Sequence, residues 1–211
     1  MKKIYLSSLF SLLFIVCSFA VSSCKTNETS NDSKVDSQAL TTQFTAFVDK
    51  FPQESKTLPA TFGEDWLDKQ ISPLKIDSLA CINFLYNNLI INHELMIGGS
   101  DAKEMELDSK KSYYYISKIP LGNNFVSVIV SDLEKDATNT YLLNYTRDGK
   151  YISGIAMQCR YYLKDGDAVN KVSRESVISD SQMILCQEKL VGRNKFISYD
   201  VLSDGKIVKK N

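Results

Sequence analysis

The chain of 211 residues contains one histidine, His93. A single imidazole removes every site that needs two, and the segment "HELMI" at 93–97 lacks the second histidine of a zinc-protease helix. His93 can pair with a cysteine or serine nucleophile, but its more ordinary role is that of a half-buried polar residue. If the segment is a strand, Glu94 faces away from His93 and cannot join it. Three cysteines in the body of the chain, Cys81, Cys159 and Cys186, are the candidate nucleophiles or bridge partners. A Cys159–Cys186 disulfide would contribute roughly 3–4 kcal/mol in the chain-entropy account. Against it, Cys159 shares a strand face with Ile155 and Met157, where a buried free thiol serves as a small hydrophobe, and free thiols are the expectation.

The remaining chemistry is thinner. No Gly-x-Ser-x-Gly elbow, P-loop or dinucleotide fingerprint is present. "IGGSDAKE", Ile97 to Glu104, is the nearest approach to an anion-binding nest and reads more simply as a turn. Asp165, Asp167 and Glu175 could approach one calcium ion, yet "KDGDAV" lacks the ligand alternation of an EF-hand loop and suits a hairpin turn. No cofactor or metal is expected. The aromatic residues offer binding chemistry instead. Tyr113, Tyr114 and Tyr115 are consecutive, so a strand through them must turn at least one ring away from the core. Exposed tyrosines stack on sugar rings or on a protein partner, and these three are the candidate binding residues.

The elements that must carry these residues change character near residue 100. Before it, "DSQALTTQFTAFVDKF" spaces Leu40, Phe44, Phe47, Val48 and Phe51 near helical intervals, with Asp36 or Ser37 as N-cap and Pro52 just beyond. A second helix is expected from Asp77 through "DSLACINFLYNN", and a strand or helix continuation in "NLIINHELMI". "LPATFGEDWLDKQISPLK" reads as irregular, with Trp66 plugging the junction between helices and sheet. Beyond residue 110 the period becomes two, in tyrosine-rich and β-branched runs such as "NFVSVIVSD", "NTYLLNYT" and "KFISYDVL". Asp148-Gly149 and Asp204-Gly205 supply hairpin turns between such runs. The expected fold class is α+β, with N-terminal helices on an antiparallel meander of about seven or eight strands, curled into a half-barrel or sandwich.

The N-terminus adds a location. Lys2 and Lys3 precede an apolar run from Ile4 to Val21 that ends on small residues, the pattern of a secretory signal. Val21-Ser22-Ser23-Cys24 resembles the bacterial lipoprotein lipobox. That resemblance implies cleavage after residue 23 and lipidation of Cys24 by a thioether-linked diacylglyceryl group and an amide-linked acyl chain such as palmitate, more than one chain being needed for stable anchoring. Lys25 stands where an aspartate favours inner-membrane retention in enterobacterial relatives, so the outer membrane is expected, with either face open. The domain plan is a signal peptide at 1–23, a polar tether at 24–35 and one α+β domain at 36–211.

Phe51-Pro52, Leu58-Pro59, "FVSVIVSD", "YLLNYTRDGKYI" and "YDVLSDGKI" also resemble a group of uncharacterised lipoproteins from gut and oral Gram-negative anaerobes, a group that implies a lipoprotein β-domain and no activity. With 25 basic and 25 acidic residues the charge is balanced, and nothing points to nucleic acid. The functional expectation is a lipid-anchored envelope module that binds a protein or glycan partner without catalysis. A small hydrolase with a carboxylate or cysteine site and a barrel-like carrier of a small apolar ligand are the alternatives.

Overall fold

The computed structural model describes residues 32–52, 58, 60–63, 74–92, 103–132, 138–165, 168–190 and 192–210. The signal segment, Cys24, Trp66, His93, Gly98, Gly99 and Asp167 lie outside the described residues. Among the described residues, two helices and a predominantly antiparallel sheet make an α+β fold. No helix among the described residues is long and apolar enough to cross a membrane.

Helix α1 (Asp32–Asp49) begins ahead of the expected boundary at residue 36, because the polar stretch before it contains no glycine or proline to stop a helix. Its spacing of aromatics holds: Phe44 and Phe47, with Phe51 just past the helix end, are buried. Helix α2 (Ser78–Phe84) is fixed by Asp77, an N-cap in extended conformation whose carboxylate accepts the Ala80 N–H at 2.9 Å. The same carboxylate meets Lys50 at 2.9 Å, tying the end of α1 to the start of α2. The bond from Ala80 and then the one from Lys50 hold the Asp77 carboxyl below its ordinary value. A depressed folded-state pKa contributes stability above the unfolded value of about 3.9, and that contribution disappears as pH falls through the folded value. Asp77→Ala is expected to cost about 1 kcal/mol at neutral pH. Asp77→Asn should keep most of the cap while flattening the acid limb of stability, as followed by urea denaturation between neutral pH and about pH 2.

Eight strands are hydrogen-bonded in chain order, all antiparallel: β4 (Tyr113–Ile119), β5 (Phe125–Asp132), β6 (Asn139–Thr146), β7 (Tyr151–Asp165), β8 (Ala168–Ile178), β9 (Met183–Leu190), β10 (Arg193–Val201) and β11 (Ile207–Lys209). Strand β8 escapes the period-two reading because Lys171, Arg174 and Glu175 interrupt its apolar alternation. Three short strands precede these eight. β1 (Ala60–Phe62), within the segment expected to be irregular, pairs with β8; β2 (Leu89–Asn92) pairs with β3 (Lys103–Glu106) and meets β7 in parallel at Ile155.

Strands β7 and β8 are long because each serves two neighbourhoods. β7 pairs with β6 through Cys159 and with β8 from Cys159 to Asp165. β8 parts from β7 after Arg174 and pairs with β9, and β1 takes the edge it vacates at Ser176–Ile178. The β10–β11 turn then returns to the first half of the sheet, where Asn144 and Ser153 side chains donate to the Gly205 carbonyl at 2.7 and 2.8 Å. Gly205 has φ +88°, and a Cβ there would sit 3.0 Å from Phe125 and Ile152, so the approach needs glycine. Gly149, at φ +90° in the β6–β7 turn, allows a similar approach to Phe44.

Two buried clusters result. One joins Phe44, Phe47, Phe51 and Phe84 with Tyr113, Tyr115 and Tyr145 of the sheet. The other gathers Phe62, Phe125, Ile155, Ile184 and Tyr199. Strands β4 to β6 contribute to both, and nearly all their residues are buried.

Candidate functional site: an apolar groove on the outer face of β8 to β10

Residues alternate across a strand, so the partners of each buried residue in β8, β9 and β10 face outward. Ser176, Cys186 and Ile197 lie inward and pair across the strands; the adjacent row, Val177, Leu185 and Ser198, lies outward. A second outward row is Glu175, Gln187 and Phe196. Thr61 of β1 extends the first row beside Val177. Between these rows runs a groove of about 400 Å³. Phe196 is 75% exposed and Leu185 45% exposed, unusual for large apolar residues on a strand with a satisfied interior behind it. At the rim, Glu175 pairs with Lys189 at 3.0 Å, which leaves Gln187, Ser198 and Thr61 as neutral polar groups around an apolar floor. Such a surface binds an apolar side chain or ring and orients it with a few hydrogen bonds.

The buried charged groups lie elsewhere. Arg174 of β8 and Glu188 of β9 are opposite one another, both with no exposed side-chain surface. Arg174 donates from Nε to Glu188 Oε1 at 3.0 Å, donates again from Nη2 to the same oxygen, and gives Nη1 to the Ala156 carbonyl at 3.0 Å. Burial raises the Glu188 carboxyl above its ordinary value, and Arg174 draws it part of the way back. Asp132 is a second buried carboxylate. It accepts from the Asn139 backbone N–H at 2.6 Å and from Asn139 Nδ2, and pairs with Lys111 at 3.2 Å. Burial raises its pKa, while Asn139 and Lys111 oppose the shift. Neither carboxylate lines the groove. Among the described residues no cluster of His, Cys, Asp or Glu could hold a metal ion.

Cys81, Cys159 and Cys186 are all buried free thiols. Strand β8 lies between β7 and β9, so the Cys159 and Cys186 backbones stand about two strand spacings apart, roughly 9–10 Å, beyond the reach of a disulfide. Burial pushes the Cys159 thiol up to about 12 and raises Cys81 and Cys186, so none is a ready thiolate.

The tyrosine triplet divides differently from the expected binding face. Tyr113 and Tyr115 are buried in the cluster that contains Phe44, Phe47 and Phe84, and only Tyr114 is half-exposed, alongside the second cluster. The reason is that both faces of β4 are covered, so turning a ring away from one core places it against the other. Phe196 and Leu185 were not singled out by sequence. The available signal was "KFISYDVL", in which the alternation runs Phe196, Ser198, Asp200 on one face and Ile197, Tyr199, Val201 on the other, leaving Phe196 on the polar face. Comparison with family models, with curated proteins and with solved structures finds no match for this chain.

Proposed function

We propose that this protein is a lipid-anchored, non-enzymatic binding module of the bacterial cell envelope, and that it holds a protein partner through the outer groove of β8 to β10. The observation that carries the reading is the pairing of exposed Phe196 with exposed Leu185 over an apolar floor with a neutral polar rim. The lipobox-like Val21-Ser22-Ser23-Cys24 supports anchoring, with the outer membrane as the site. The architecture it uses is a curled sheet with helices against one face. Ring contacts between α1 and β4 support this, Phe47 to Tyr115 at 5.6 Å, as does the return of Gly205 to Asn144. A hydrolase finds less support, since the buried carboxylates are held by Arg174, Lys111 and Asn139 and the thiols are protonated. The groove volume also fits a small apolar ligand, which makes a carrier the second reading.

Cross-linking of the full chain in intact cells tests the reading. Phe196→Ser and Leu185→Ser should each weaken partner retention by about 1–3 kcal/mol with the thermal midpoint nearly unchanged. Cys24→Ala should shift the protein from membranes to the soluble fraction. Saturable uptake of an apolar fluorophore that Phe196→Ser abolishes, with no cross-linked partner, would establish the carrier instead. Turnover by the purified protein lost on a single Asp, Glu or Cys substitution would overturn binding as the function.

A further inference from the structure

Strand β10 runs from Arg193 to Val201 and pairs with β9 along its whole length, but β11 covers only Tyr199 to Val201. Its backbone bonds show which groups face which neighbour. Val201 donates to Gln182 on the β9 side, whereas Leu202 donates to Lys206 and the Ser198 carbonyl accepts from Lys210 on the β11 side. Backbone direction alternates along a strand, so odd-numbered residues serve β9 and even-numbered residues face the other way. Asn194 and Phe196 therefore aim their N–H and C=O groups along an edge that no strand occupies among the described residues. The side chain of Phe196 is the exposed ring of the groove, on the same stretch of edge. Natural sheets usually blunt such an edge with a proline, a bulge, a very short strand or charged side chains; β10 has nine residues, no proline and an unbroken register with β9, and of these devices it carries only the charges of Arg193 and Lys195.

We infer that β10 accepts an added strand: an extended peptide of a partner protein pairs with Asn194 and Phe196, carrying an apolar side chain opposite Phe196 and an acidic residue opposite Arg193. This deepens the binding reading above and rests on it. Main-chain bonds from the edge supply affinity, and the apolar side chain packs on the exposed Phe196 ring at the border of the groove, which supplies selectivity. The acidic preference follows from charge. Arg193 is exposed at the open end of the edge and makes no ion pair among the described residues, and Lys209 and Lys210 stand at the covered end. The only carboxylate of β10, Asp200, is opposed by Lys210 at 3.8 Å. A second copy pairing through the same edge would bring its own Arg193 and Lys195 against these cations, so charge favours a different chain. Because residues on adjacent strands advance together, the acidic residue lies three positions from the apolar one.

The test uses the soluble mature chain and short fluorescent peptides of alternating Val and Thr, with a central Ile and an Asp three positions away, measured by anisotropy. Binding is expected, and replacing that Asp by Lys should weaken it roughly tenfold through repulsion from Arg193, a preference that Arg193→Glu reverses. Methylating the peptide amides that face β10 should weaken binding roughly tenfold or more, since it removes the ladder bonds and leaves the side chains in place. Asn194→Pro removes an edge N–H that β9 does not use and should act like that methylation. Equal binding of methylated and unmethylated peptides to the wild-type chain, lost in Phe196→Ser, would overturn strand addition while leaving the groove as a binding site. No binding by any peptide also overturns it, and the in-cell cross-linking of Phe196→Ser then decides separately whether the groove binds at all. A dimer in sedimentation that Asn194→Pro dissolves would show the edge to be filled by a second copy and overturn the acidic peptide.

Discussion

Glu188→Ala is expected to lower the free energy of unfolding by about 3–5 kcal/mol, the cost of leaving a buried cation uncompensated. Arg174 has no exposed side-chain surface, and among the described residues it bonds twice to the Glu188 carboxylate and once to the Ala156 carbonyl. Without Glu188 the guanidinium must either stay desolvated without this counter-charge or pull water into a core of Ile184, Ile197 and Tyr199. A loss of this size is a large share of the about 5–15 kcal/mol that holds a domain folded. The pair differs from a surface bridge such as Lys189 with Glu175, whose removal should cost under about 1 kcal/mol. The pair itself is not expected to be a large source of stability, because desolvation offsets much of the attraction. Replacing both residues together, Arg174→Met with Glu188→Leu, should therefore restore stability to within about 1 kcal/mol of the wild type or raise it. Urea titrations of the single and double variants provide the comparison. A double variant as unstable as Glu188→Ala would show that the ion pair specifies the strand arrangement beyond its charge balance.

Phe47→Ala should be comparably damaging, at about 3–5 kcal/mol. Phe47 is 2% exposed, and its ring is the hub of the aromatic cluster. It stacks on Phe84 of α2 at 4.9 Å, meets Phe51 edge-on at 5.1 Å and reaches Tyr115 of β4 at 5.6 Å. Removing it opens a void among the rings of Phe84, Phe51 and Tyr115 at once, and rings held at three places along the chain cannot close on that space together. Ile82, on the same short helix as Phe84 but 59% exposed, is the internal control: Ile82→Ala should stay within about 0.5 kcal/mol. Thermal unfolding followed by near-ultraviolet circular dichroism would register Phe47→Ala as a lowered midpoint and a weakened aromatic signal. An unchanged midpoint would mean that α1 does not contribute to the cooperative unit.

The site was much less legible than the fold. The helix at Asp77, the β-runs after residue 110 and the turns at Gly149 and Gly205 follow from short-range chemistry: a capping carboxylate, alternation and positive φ. Strand β8 was hidden because a salt bridge with a distant partner compensates its buried charge, and Glu188 is not visible from a window around Arg174. Phe196 was hidden for the opposite reason. A single aromatic in an alternating run looks like core, although its own run sets it beside Ser198 and Asp200, and pairing with Gln187 and then Glu175 places that row toward solvent.

By itself, the sequence determined the two helical segments, most of the strands after residue 110 and the turns at Gly149 and Gly205, since those choices depend on residues a few positions apart. It also carried the lipobox-like signature at Cys24 and the exclusion of any site requiring two histidines. Tertiary structure alone decided which face of each strand is interior. Tyr113 to Tyr115 and Ile184-Leu185 are apolar or aromatic on both faces, and a shift of register by one residue exchanges their surroundings. Tertiary structure also decided that β11 stops short of Asn194 and Phe196, leaving their backbone groups at an edge that no strand among the described residues occupies. Pairing across strands depends on contacts between residues far apart in the chain, and the pattern within any one strand does not encode its neighbour's length.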